Sequence, residues 1–285
     1  MSTQTLIALV DGSAYSESVC HHAAWLAGRM QAKVKIYHVM GRREGGDRQD
    51  LSGAIRLGAR TRLLEQLSEL DAQRAKLAQE HGRAILEDAR AIIEGDGNIT
   101  VETRLRQGDL VDTVTAKEDT GDLIVIGKRG EAAAVAMEHV GSNLERIVRG
   151  TTKPVFVANR AFRPIENILV AFDGGASALK SVDYIARSPI FAGLSVTLVQ
   201  AGADTDAARR ALDNAAATLR AGGLDPKTEQ KAGEPEAVLA EMTADGGYDL
   251  LVMGAYGHSR VRALLVGSTT TEMIRSCKVP VLLMR

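Results

Sequence analysis

The chain has little cysteine, almost no net charge and no long apolar run, and each shortage excludes something. Its 285 residues hold two cysteines, Cys20 and Cys277, far apart and in neither redox nor zinc spacing. Both read as small buried hydrophobes in a reducing cytoplasm. Lys and Arg total 35 against 36 Asp and Glu, a formal charge of −1, so no bulk field draws the chain to nucleic acid or an anionic membrane. No apolar stretch approaches the roughly 20 residues that span a bilayer. The opening MSTQTLIALVDGS has no basic leader and reads as a strand, not a signal peptide. Neither half carries Gly-x4-Gly-Lys-Ser/Thr or a Gly-x-Gly-x2-Gly after its first strand, which disfavours a P-loop and a dinucleotide fold. The adjacent His21 and His22 point in different directions on a helix and cannot chelate one metal; they read as surface or partly buried residues.

What is present is 45% hydrophobic and 25% charged residues, enough for about two globular domains. The organising stretch is Asp249 to Thr270, DLLVMGAYGHSRVRALLVGSTT. An apolar run ends at Gly254, Gly257 follows, then nine residues, then Gly267-Ser268-Thr269-Thr270 and a helical pattern. A buried strand, a glycine loop and a second glycine turn opening a helix can hold phosphate. Glycine lets the backbone approach an anion, and free N–H groups at a helix start carry the positive end of its dipole. The hydroxyls of Ser268 to Thr270 can cap the helix or donate to phosphate oxygens.

The same order occurs earlier. Gly127, Gly130, Gly141 and Ser142 match Gly254, Gly257, Gly267 and Ser268, with a spacer of ten residues instead of nine. Internal repetition sets the domain organisation. Apolar runs at 6–10, 33–39, 99–106, 122–126 and 154–158 alternate with helical patterns at 16–30, 63–93, 110–117 and 143–149. After a join at 159–164 the order restarts with strands at 168–172, 194–200, 227–231, 249–253 and 279–284. Ser13 or Ser16 is the expected cap of the first helix, Trp25 a packing residue, and the 63–93 helix is expected to break near Gly82. The polar segment before it brings Arg42, Arg43 and Arg48, either a flexible arm or a lid over a bound anion. The expected domains are 1–160, with a long helical insertion at about 41–95, and 161–285.

Alternating strands and helices imply an α/β architecture: two repeated doubly wound five-stranded parallel-sheet domains. Ligands bind such sheets beyond the carboxyl ends of the strands, where strand order reverses. Asp11, Asp173, Gly127 and Gly254 fall on that rim.

On these motifs the chain resembles the universal stress protein family, in its tandem two-domain form, with an adenine nucleotide alpha hydrolase-like fold. The resemblance covers nearly everything outside the insertion. It implies ATP, ADP or AMP, with or without Mg²⁺, held by the Gly-x2-Gly-x9-Gly-Ser loop of the second domain at Gly254, Gly257, Gly267 and Ser268. By analogy Asp173, Val199, Gln200 and Met253 line the adenosine, and His258, Thr269 and Thr270 lie near the phosphates. The first domain keeps Asp11, Val39, Gly127, Gly130, Gly141 and Ser142, but Asn143 stands where Thr269 stands. The apolar last strands, 154–158 and 279–284, would be aggregation-prone edges if exposed, so the two domains are expected to pair through them as an intramolecular pseudo-dimer. The resemblance also allows a homodimer of whole chains and an unknown signalling partner. Three functions follow: a nucleotide-binding stress or signalling protein, a slow ATP hydrolase, or an interaction scaffold with empty loops. No catalytic or metal-binding set is evident beside the glycine loop.

Overall fold

The computed structural model describes residues 4–41, 57–130, 142–244, 247–255 and 268–285. The first half runs β1 (Thr5–Leu9), α1 (Ser16–Met30), β2 (Lys33–Met40), α2 (Leu57–Gly95), β3 (Val101–Gln107), α3 (Leu110–Thr115), β4 (Leu123–Gly127), α4 (Ser142–Gly150) and β5 (Val155–Ala158). The second repeats it with β6 (Asn167–Ala171), α5 (Ala176–Arg187), β7 (Ser195–Ala201), α6 (Asp206–Ala221), β8 (Lys227–Lys231), α7 (Pro235–Ala244), β9 (Leu250–Gly254), α8 (Ser268–Ser276) and β10 (Val281–Met284).

The central strands are apolar at nearly every position because both of their faces are covered. In β1, Leu6 and Ala8 join one buried layer while Ile7 and Leu9 join the other. The alternation repeats in β10, with Leu282 and Met284 on one side and Val281 and Leu283 on the other. One layer lies under α1, α2, α5 and α6 and the other under α3, α4, α7 and α8, and each layer runs through both halves.

The ten strands form one sheet in the order β3-β2-β1-β4-β5-β10-β9-β6-β7-β8. Pairing is parallel within each half, while β5 and β10 meet antiparallel, with Phe156 opposite Leu282. The two apolar edges therefore cover each other, as expected. Reciprocal contacts lock this joint. Asn159, just after β5, donates through Nδ2 to the Lys278 carbonyl, and its counterpart Arg285, just after β10, donates to the Arg149 and Thr151 carbonyls. The Lys128 ammonium donates to the Cys277 carbonyl at 2.9 Å, past the end of α8. Positive charge at a helix C-terminus is favourable, and burial lowers the Lys128 pKa.

Three expectations need correction. α2 is unbroken over 39 residues, about 58 Å at the α-helical rise. Gly82 serves close approach: a β-carbon there would lie 2.7 Å from Leu105 Cδ1 and 2.9 Å from His38 Cδ2. α1 has Tyr15 at its N-cap with no side-chain cap bond; Ser16 instead accepts from the Asp11 and Gly12 amides and donates to Asp11 Oδ1. His22 is fully buried beside Phe156 and Phe162, with Nδ1 bonded to the Ser18 carbonyl. His21 is partly exposed and pairs with Asp96 at 2.6 Å. Trp25 packs on the core as expected, and Arg29 lies over its ring.

Candidate functional site

In the second half, strand order reverses between β6 and β9. The chain leaves β6 toward α5 and leaves β9 on the other side of the sheet, so a crevice opens at their carboxyl ends. A cleft of about 140 Å³ lies there. Its floor is apolar: Ala171 and Phe172 at the end of β6, Val199 and Ala201 of β7, and Met253 of β9, with Leu239 of α7 closing one wall. Its rim is polar, with Asp173 after β6 and Ser268, Thr269 and Thr270 opening α8. An apolar slot beside convergent polar groups is the usual form of a small-molecule site.

Three of these four polar groups are held by specific contacts. Asp173 is exposed and accepts from the Gly175 amide at 2.8 Å across a turn in which Gly174 has φ +76°. Thr270 is buried and donates to the Gly254 and Ala255 carbonyls, which ties the start of α8 to the end of β9. Thr269 donates to Glu236 Oε1 at 2.6 Å, which ties α8 to the first turn of α7. Ser268, by contrast, is exposed at the helix start. The first amides of a helix have no intrahelical acceptor, so α8 aims N–H donors and a partial positive charge at this rim. Gly254 permits the closure, since a β-carbon on it would lie 2.8 Å from Ser177 Cβ and 3.3 Å from the Ala178 amide nitrogen.

Of the residues expected from sequence, Asp173, Val199, Met253, Gly254, Ser268, Thr269 and Thr270 converge on this cleft. Gln200 does not line it: neighbouring residues of a strand face opposite sides, and Val199 and Ala201 take the cleft side. Gly257, His258 and Gly267 lie outside the described residues, as do Gly141 and Arg42, Arg43 and Arg48. Sequence reasoning missed Ala171, Phe172, Ala178, Ala201, Pro235 and Leu239. Ala171 and Ala201 are legible from strand parity once β6 and β7 are placed; Pro235 and Leu239 carry no local signal.

The first half has the same backbone and different walls. The Val10 amide bonds the Tyr37 carbonyl as the Phe172 amide bonds that of Val199, so Tyr37 is the counterpart of Val199, and Val39 that of Ala201. Leu9 stands opposite Tyr37 as Ala171 stands opposite Val199. The floor positions Ala171, Val199 and Ala201 are thus Leu9, Tyr37 and Val39, with Leu9 and Tyr37 both buried in the core. Tyr15 takes the place of Ser177 against the strand-end glycine: a β-carbon on Gly127 would lie 2.8 Å from Tyr15 Cβ. Gly130 closes on the acid, its β-carbon position being 2.7 Å from Asp11 Oδ2. Asp11 Oδ1 accepts from the Ser13 amide and the Ser16 hydroxyl. Ser142 opens α4 as Ser268 opens α8. Leu144 is buried where Thr270 stands in the second half. Asp109 caps α3 and pairs with Arg146 of α4, so in this half the two helices are joined by an ion pair. The Asp112 amide, and after it Arg146, holds the Asp109 carboxyl below its ordinary pKa.

A doubly wound sheet used twice, with a switch-point cleft facing a helix start, defines a paired α/β protein with a small-molecule-type cleft in its second half. The universal stress protein family model matches residues 3–159 and 191–285. A universal stress protein of Synechocystis sp. is 34% identical over 287 aligned positions, covering 99% of this chain and all of that protein. Among solved structures, a universal stress protein from Archaeoglobus fulgidus superposes with a TM-score of 0.67 at 18% identity, covering 99% of this chain and 96% of the other. One described as a putative universal stress protein from Pseudomonas aeruginosa gives 0.60 at 13% identity, covering 99% and 93%. The chain belongs to the universal stress protein family, as a tandem of two such domains. Among the described residues no helix is long and apolar enough to cross a membrane, and no group of three His, Cys, Asp or Glu could hold a metal.

Proposed function

We propose that the second domain binds one adenine nucleotide, ATP or its ADP and AMP forms, and that the chain acts in stress response or signalling through the state of that site. The supporting observation is the cleft where β6 and β9 diverge, apolar at its floor and lined at its mouth by the start of α8. The adenine ring packs on Val199, Ala201 and Met253, and Asp173 accepts hydrogen bonds at the sugar end. The phosphates meet the Ser268 hydroxyl and the first amides of α8, where charge and free donors favour an anion. Gly257, His258 and Gly267 complete the phosphate loop by their place in the motif.

The first domain holds no nucleotide in this reading, because the larger Leu9, Tyr37 and Val39 stand at the positions of Ala171, Val199 and Ala201. Asp11, Gly127, Gly130 and Ser142 keep the backbone of the site. One chain therefore carries one working site and one filled counterpart. Calorimetric titration of ligand-free protein with ATP, with and without Mg²⁺, tests this: about one nucleotide bound per chain is expected, and no heat of binding refutes it.

A further inference from the structure

The described part of α2 divides in two. From Gly82 onward it is docked, with Gly82, Leu86, Ala89 and Ile93 buried and α1, β2 and β3 as its main neighbours. From 65 to 80 every residue except Ala75 is exposed. Within this overhang Leu67, Leu70 and Leu77 are 44%, 49% and 65% exposed, and they are three of the four exposed large hydrophobic residues among those described. Leu67, Leu70, Arg74 and Leu77 follow the three-four-three spacing of a coiled-coil seam, with Leu67 and Arg74 at a and Leu70 and Leu77 at d.

We propose that this overhang is a self-association surface and pairs antiparallel with the same segment of a second copy of the chain. The charges select the occupant and its direction. A parallel pair would set Arg74 against Arg74 of the second copy inside the seam, and like charges there are destabilising. An antiparallel pair centred on Ala72 sets Leu67 against Leu77 of the second copy, twice. It also lays the Arg74 stem over Leu70 of the second copy, with its guanidinium beside that copy's Asp71. Glu65 and Glu69 precede the centre and Arg74 and Lys76 follow it, so reversal brings the acidic end of each helix to the basic end of the other. The apolar strands β5 and β10 already cover each other within one chain, which leaves this helix face for contact between chains. The overhang is about 24 Å long. A single short helix pair covers less than the roughly 800 Å² per partner of a standard interface, so the dimer is weak, with a Kd in the micromolar range.

Sedimentation velocity of the full chain from about 1 to 500 µM tests this. A reversible monomer–dimer equilibrium is expected, weakened about a hundredfold by Leu77→Glu, which sets a carboxylate against Leu67 of the second copy between its Glu65 and Glu69, since each dimer carries two such sites. Leu77 lies on the exposed overhang, and an unchanged circular dichroism spectrum would show that the variant is folded. Cross-linking fixes the direction. Cys20 and Cys277 are buried, so Leu67→Cys and Leu77→Cys report alone, and the mixture should form a disulfide that neither gives by itself. A chain that stays monomeric throughout, a dimer indifferent to Leu77→Glu, or Leu67→Cys linking to itself would each overturn the proposal.

Discussion

Gly254→Ala tests the closure of the cleft most sharply. The added methyl lands 2.8 Å from Ser177 Cβ, 3.0 Å from Ser177 Oγ and 3.3 Å from the Ala178 amide nitrogen. Ordinary carbon contacts sit at about 3.5–4.0 Å, so the two segments must separate by roughly 0.7 Å. Neither can do so freely. β9 is hydrogen-bonded between β6 and β10, and Ser177 is buried in the first turn of α5. Overpacking of this kind costs about 1–3 kcal/mol. The cleft opens at the same point, so ATP affinity falls together with stability. Ser177→Gly in the same chain removes two of the three close atoms and leaves the amide contact. The double variant should therefore recover most of the loss, set against the ~1 kcal/mol that a helical glycine costs by itself. Urea unfolding of the two single variants and the double variant yields the coupling energy. A Gly254→Ala variant as stable as the parent, or a coupling of zero, would refute the packing argument.

The remaining predictions concern the cleft floor and acid stability. Val199→Tyr copies the filled counterpart, Tyr37, into the second domain; it should abolish ATP binding in calorimetry while the chain stays folded, and undiminished affinity would sink the assignment of the floor. Burial beside Phe156 and Phe162 lowers the His22 pKa from 6.5 to about 4. A depressed histidine pKa means that the unfolded chain takes up the proton first. His22 thus adds nothing to the pH dependence above about pH 6.5, and stability falls as pH drops from there toward 4, by about 3 kcal/mol in full. The urea midpoint should fall across that window, and His22→Gln should flatten the fall; equal slopes in both proteins would exclude His22 as the cause.

Much of this was legible in the sequence because the central strands are buried on both sides. Runs such as Leu250 to Met253 have no polar residue to interrupt them, and each ends in glycine or aspartate where the chain must turn. Repetition then fixed the domain order, and the apolar character of 154–158 and 279–284 identified the joint. What stayed hidden depends on partners distant in the chain. Gly82 looks like a helix breaker until Leu105 and His38 are seen against it. Gln200 looked like a cleft residue because it ends its strand. Pairing shows instead that it lies between two cleft-facing neighbours, while Tyr37 matches Val199 and Val39 matches the cleft residue Ala201. The burial of His22 comes from Phe156 and Phe162, and the reciprocal contacts of Asn159 and Arg285 exist only once β5 and β10 meet.

The most direct test of one working site beside a filled counterpart is a count. Protein purified without added nucleotide is denatured, the released small molecules are identified by mass, and the ligand-free chain is then titrated with ATP. The account predicts an adenine nucleotide at about one per chain, bound or rebound, with Val199→Tyr removing it and Tyr37→Phe leaving it unchanged. Two per chain would contradict the filled first domain, and none in either experiment would contradict the assignment of the second-domain cleft.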